Sequence, residues 1–368
     1  GQSIEPEWYV PVVPQVLLNG AEGIGTGWST FVPNYNPAEI VANLRRRMAG
    51  EEYQPMAPWY RGFCGTIEQV SNDRFRVSGH ARQIDERTYE ITELPVRVWT
   101  SSYKEWLEER VVGSDKVPAT LREYREYHTD TSVHFIVELN PRGEQEIERV
   151  GIDNFFRLSN VFSTSNMVLF DAEGKIRKYS SPLEILDDFF FLRLGFYQRR
   201  KEYLVDQLKN VFDRLSNQAR FVSMIISKEL AVSNKKKSDV VKELRELNFR
   251  PFPRTETKTR NVTDDAPDEE EEEQAEQEGV SAARVTDYDY LLNMAIYSLT
   301  RERVARLLRE RDSTEQELKV LLARTPQNLW DEDLTYFLND WESVLAEDAR
   351  RASQTTSRTV TLPKKRRA

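Results

Sequence analysis

The chain is 368 residues long, 39% hydrophobic and 31% charged, with one cysteine and a formal net charge of −9. That length accommodates two or three domains. A lone Cys64 excludes an internal disulfide framework, and no apolar run or signal pattern points to a membrane span or secretion. Residues 264–278 carry ten acidic side chains and no basic one, so taking ten negative charges from −9 leaves the remainder at +1. With no apolar content to offset its ordering entropy, this tract is expected to sit in a disordered loop over 261–283.

Near the start, residues 19–28 read Asn-Gly-Ala-Glu-Gly-Ile-Gly-Thr-Gly-Trp, four glycines (Gly20, Gly23, Gly25, Gly27) around one bulky apolar residue, Ile24. Glycine tolerates positive φ and close backbone approach, so the run is read as neither an ordinary helix nor an ordinary strand. Ile24 is then either a plug under a tight turn or a wedge offered outward. Proteins that kink duplex DNA insert such side chains between base steps. No GK[ST] follows at P-loop spacing, which excludes that kind of phosphate loop.

Asn36-Pro37 opens a helix over Pro37–Met48 with Ile40, Val41 and Leu44 on one face. Arg45, Arg46 and Arg47 end it, either to meet phosphate or as a plain C-terminal charge cluster. Alternating segments predict strands at 63–70, 74–80 and 88–94, then a helix at 101–111 and a strand at 132–139. The mixture is an α+β domain. The polar run 157–166 is read as a loop whose hydroxyls, amide and arginine suit phosphate contacts or an ordinary surface, with a strand at 167–170 after it.

Ser181-Pro182-Leu183-Glu184 looks like a capping box. Leu204, Leu208, Val211, Leu215 and Val222 then follow heptad spacing, and a return helix over 287–323 carries Leu307, Thr314, Leu318 and Leu321. Thr325-Pro326 starts a last helix through residue 341. The pattern predicts an antiparallel coiled-coil arm with a small head made of 221–250 and 288–299. His80, His128 and His134 show no metal spacing with Cys64 or each other. Pro363-Lys364-Lys365-Arg366-Arg367 reads as a nuclear localisation patch or a nonspecific nucleic-acid contact.

The block Glu5-Pro6-Glu7-Trp8-Tyr9, the prolines Pro11 and Pro14 and the run 19–28 closely resemble eukaryotic DNA topoisomerase II. The likeness extends over residues 4–341 and is densest at 5–30 and 91–130. It implies the end of a winged-helix region at 1–30, an α/β tower subdomain that binds DNA at 31–180, and an ascending coiled-coil stalk at 181–220. A C-gate dimerisation head at 221–300, a descending stalk with a last helix at 301–345 and a basic disordered tail at 346–368 complete it. Asp287-Tyr288-Asp289-Tyr290-Leu291-Leu292-Asn293-Met294 and Ser298-Leu299-Thr300-Arg301-Glu302 resemble motifs of that head.

By resemblance, Ile24 intercalates into a duplex and bends it, flanked by Asn19, Gly20, Gly23 and Gly25. Trp99, otherwise a candidate core residue, becomes a DNA contact, and so do Arg157, Ser163, Ser165 and Asn166. The implied whole enzyme cuts one duplex, passes a second through it and reseals, using ATP and Mg²⁺ that this segment does not bind. Its partners are double-stranded DNA and a second copy through the C-gate, in the nucleus and with no membrane. No catalytic residue is expected here: the nucleophilic tyrosine lies upstream in the family, and Tyr9 is not its counterpart. The competing class is a non-catalytic, chromatin-binding coiled-coil scaffold, which the heptads and charged tracts fit and the glycine block does not.

Overall fold

In the computed structural model the described residues are 4–5, 9–129, 131–232, 235–252, 285–294 and 300–359. The acidic loop 261–283, the tail motif 363–367 and residues 295–299 of the expected head lie outside them. The chain divides into two compact units, one of residues 10–195 and 329–368, the other of 1–9 and 196–328.

The larger unit begins with the short helix α1 (Gln15–Asn19) and an antiparallel hairpin of β1 (Ala21–Ile24) and β2 (Ser29–Val32). The glycine run is thus half strand, contrary to expectation. Cross-strand hydrogen bonding to β2 supplies the order that the composition lacks. Glycine is needed at Gly20, whose φ is +67° and whose Cβ would stand 2.7 Å from the Val32 carbonyl oxygen.

Helix α2 (Pro37–Met48) follows, capped by the Asn36 side chain, which accepts from the Ala38 amide at 2.9 Å. It buries Ile40, Val41 and Leu44. Its three terminal arginines all have carboxylate partners: Arg45 with Asp331, Arg46 with Glu51 and Arg47 with Asp187. The charge cluster serves the fold.

Next come β3 (Thr66–Ser71), β4 (Arg74–Ser78), β5 (His80–Gln83), β6 (Thr88–Glu93), α3 (Thr100–Val112), β7 (Leu121–Glu126) and β8 (Phe135–Leu139). Then follow α4 (Pro141–Val150), α5 (Ile152–Phe155), β9 (Ser159–Ser163), β10 (Met167–Phe170) and β11 (Ile176–Tyr179). They form a four-stranded sheet in the order β5-β6-β8-β7, a three-stranded sheet β3-β4-β9 and the hairpin β10-β11. All pairings are antiparallel.

The main core joins Ile91, Phe135, Val137 and Leu139 of the larger sheet to Tyr103 and Leu107 of α3 and to Ile147 of α4. Helix α4 approaches so closely that a Cβ on Gly143 would lie 2.1 Å from the Thr120 carbonyl oxygen. Gly143→Ala is therefore expected to cost about 1–3 kcal/mol, read as a fall in the denaturation midpoint of the chain. Strand β9 lies within the run expected to be loop. Phe162 stacks on Phe75 at 5.9 Å in a second cluster, which a polar-composition reading overlooks.

The larger unit is completed by the first part of α6 (Pro182–Ile226) and by the last helix, which runs to Thr359. Residues 346–359, given to a disordered tail by resemblance, are helical. Trp330, fully buried on that helix, packs on Phe189 and Phe190, and its indole N–H donates to the Val12 carbonyl at 2.9 Å.

The smaller unit contains the rest of α6, then α7 (Lys237–Glu246), a 3₁₀ turn (Val285–Tyr288), α8 (Asp289–Leu292) and α9 (Arg301–Ala323). The helix that starts at Pro326 is α10. A core of Phe221, Val222, Val240, Val241, Leu244, Phe249, Tyr288, Leu291 and Leu307 fills the head. The heptad seam closes only in part. Val222, Leu307 and Thr314 are buried, whereas Leu204, Leu208, Val211 and Leu321 line an open groove between α6 and α9. Knobs-into-holes packing is therefore interrupted along the middle of the pair.

Candidate nucleic-acid interface

Ile24 ends β1 and is 93% exposed, the opposite of a core plug. The chain turns over residues 25–28, with the Gly25 amide donating to the Trp28 carbonyl at 2.8 Å and Gly27 at φ +78°. Trp28, 57% exposed in the same turn, adds a second large apolar side chain that sequence reasoning did not single out. Exposed apolar groups at a hairpin end gain nothing from water, so they mark a surface meant to be covered.

The hairpin is braced from beneath. Ile24 stands directly across from Ser29, and the Asn166 amide nitrogen donates to both the carbonyl and the hydroxyl of Ser29, at 3.2 and 2.9 Å. The Phe31 amide donates to the Asn166 carbonyl at 2.9 Å, and the Val168 amide to the Thr30 hydroxyl at 3.2 Å. Both donor hydrogens of the Asn166 side chain are spent inside the protein, so its role here is to hold the hairpin. The run 157–166 and the glycine run, far apart in sequence, are thus brought together.

Around this joint, Ser163 donates to Asp73 and to the Ser165 hydroxyl at 3.2 and 2.9 Å. Ser163 pairs across β9 and β4 with Arg74, and Val161 with Arg76. Directly opposed residues share a face, so Arg74 and Arg76 stand on the exposed side of the sheet while Phe75 and Val77 face the core. The exposed-buried alternation of β4 was the available signal for these two arginines.

Trp99 is 77% exposed and not a core residue; it sits at the N-cap of α3. Two residues earlier Arg97 ion-pairs with Glu22 of β1 and covers the Phe31 ring, 4.7 Å from its centroid. Burial, opposed by Arg97 and reinforced by Glu22, pushes the neighbouring Tyr60 phenol up to about 12. Arg157 lies at the other end of β9, its guanidinium 5.4 Å from the Trp106 ring on α3. It is not brought to the hairpin. Asn19 donates to Gln15 on the surface of α1, and Gly23 and Gly25 are exposed around Ile24.

The fold thus offers an apolar wedge with hydroxyls, arginines and an indole around it. It brings His128 and His134 together, the His134 amide donating to His128 Nδ1 at 2.9 Å, and pairs His134 with Glu90. Among the described residues no group of three His, Cys, Asp or Glu side chains is placed to hold a metal ion. No described helix is long and apolar enough to cross a membrane.

The chain matches the family described as DNA gyrase/topoisomerase IV over residues 1–335. It is similar to DNA topoisomerase 2 of Candida albicans, 44% identical over 393 residues, covering 100% of this chain and 27% of that protein. DNA topoisomerase 2-alpha of Cricetulus griseus is 41% identical over 350 residues, covering 94% of this chain and 23% of the relative. The chain therefore spans about a quarter of the length of these relatives. Its fold is similar to the crystal structure of the Plasmodium falciparum topoisomerase II DNA-binding, cleavage and re-ligation domain. The TM-score is 0.77 at 36% identity, over 95% of this chain and 47% of that one. On these grounds the chain belongs to the DNA gyrase/topoisomerase IV family and corresponds to part of the breakage-reunion region of a eukaryotic type II topoisomerase.

Proposed function

We propose that this chain grips a DNA duplex and bends it by driving Ile24 between two base pairs, for a strand-cutting reaction whose nucleophile the chain does not contain. The observation that carries this reading is Ile24, 93% exposed on a hairpin that Asn166 and Arg97 fasten to the larger unit. Unstacking a base step costs a few kcal/mol, offset by the contacts a bent duplex makes along the protein. Arg74, Arg76, Ser163, Ser165 and Trp99 are the groups assigned to those contacts, with Arg157 further along α3. Phosphate contacts of this kind position a duplex without reading its sequence.

In the complete enzyme the reaction is ATP-dependent passage of a second duplex through the cut one, followed by resealing, in the nucleus. ATP and Mg²⁺ act there on other segments. The larger unit corresponds to the tower, the α6–α9 pair to the stalk, and the head around Phe221 and Tyr288 to the C-gate. Self-association of that head is supported by the resemblance of residues 287–302. The described head residues bury their apolar side chains in their own core. Sedimentation equilibrium of the chain at tens of micromolar is expected to give a dimer; a monomer throughout would remove the gate assignment.

A direct test of the wedge uses a duplex with 2-aminopurine at its central steps. Binding of the 368-residue chain should raise the fluorescence as the base unstacks, and the Ile24→Ala chain should bind without that rise. Equal signals from both chains would refute intercalation by Ile24.

A further inference from the structure

Arg97 occupies the third position of the turn 95–98, closed by the Val98 amide donating to the Pro95 carbonyl at 3.1 Å. Its φ is +73°, a left-handed conformation that favours glycine or asparagine. A long arginine at such a position has to be accounted for by its side chain. The guanidinium ion-pairs with Glu22 on β1 and lies over Phe31 on β2. Glu22 and Phe31 are direct cross-strand partners, so one planar group engages both strands at a single register.

Glu22 and Ile24 are two residues apart on one strand and share a face, about 7 Å from each other. On the other side, Arg97 is two residues from Trp99, which caps α3. A two-stranded hairpin alone is marginally stable and would yield when pressed against stacked base pairs. Asn166 restrains β2 at Ser29 and Phe31; the Glu22 ion pair restrains β1.

We propose that Arg97 is a positioning residue for DNA bending: it locks the wedge-bearing hairpin to the Trp99 turn, so that Ile24 and Trp99 meet the duplex as one rigid pair. The proposal rests on the duplex-bending reading above. It assigns Arg97 a task different from neutralising phosphate, and the two are separable by chemistry. Lysine keeps the charge that a phosphate needs, but it lacks the planar fork that fits a carboxylate and an aromatic face together.

The test measures bending by energy transfer between dyes at the ends of a duplex bound to the 368-residue chain, alongside the salt dependence of binding. Arg97→Lys is expected to keep the wild-type salt slope while the bent-to-unbent ratio falls about fivefold. Glu22→Gln, which leaves the ring contact in place, should lower bending by a smaller factor. If Arg97→Lys bends DNA as well as wild type while Ile24→Ala does not, the positioning role is refuted and the wedge stands. If Ile24→Ala also bends normally, the duplex-bending reading fails and this proposal with it.

Discussion

Trp330→Ala is expected to remove about 3–5 kcal/mol from the stability of the larger unit. The indole is fully buried between Phe189 and Phe190, with ring centroids at 6.2 and 5.4 Å, and little room exists for the site to collapse. Truncation also strands the Val12 carbonyl, which accepts the indole N–H at 2.9 Å; an unsatisfied buried acceptor adds about 1–3 kcal/mol. Trp330→Phe keeps most of the ring contact and should cost roughly 1–2 kcal/mol. Urea unfolding of the two variants would check this. A loss below about 1 kcal/mol for the alanine variant would show that the last helix is held elsewhere.

Ile24→Ala should act in the opposite sense, with large effects on bound DNA and small ones on the fold. Full burial of an isoleucine side chain is worth about 1.5–3 kcal/mol, and most of that is gained only once the side chain enters the base stack. The bent-to-unbent ratio should therefore fall by about 10- to 100-fold, read as lost energy transfer between labelled duplex ends. The unfolding free energy should move by less than about 0.5 kcal/mol, since the side chain is exposed in the free protein. In the complete enzyme, strand cutting should fall with the bent fraction while low-salt duplex affinity falls less, phosphate contacts being intact. Unchanged bending would mean that the exposed isoleucine has another use.

The readable parts of the fold were those governed by local chemistry. Asn36, Pro37 and the spacing of Ile40, Val41 and Leu44 specify α2 to the residue. The alternation of 74–78 marks β4 and its exposed arginines. Where pairing partners decide, sequence was mute: the glycine run becomes a strand because β2 lies beside it, and 159–163 becomes one because Phe162 joins Phe75. Seam spacing predicted the α6–α9 pair but not the gap between them, since heptads fix which side chains face each other and not how well they fill the space.

In the site, Ile24 and Trp99 were legible as residues and undecided as to exposure. Asn166 was legible as polar, yet its task depended on Ser29, 137 positions away. Arg97 left no local trace, because an arginine at positive φ cannot be told from any other arginine until its backbone is seen.

The larger unit is interrupted in sequence by the smaller one, and its ends meet through Trp330 with Val12, Arg45 with Asp331 and Arg61 with Asp348. A chain made from its N-terminus cannot form these contacts until more than three hundred residues have been synthesised. Until then the aromatic surface of Phe189 and Phe190 has no Trp330 to cover it, while residues 196–328 are already complete. At about 5–20 residues per second, the nascent larger unit waits several seconds with that surface open. The inserted unit can therefore finish first, and the nascent chain's period of greatest exposure to chaperones, proteases and neighbouring copies is set by the ribosome's progress to residue 330.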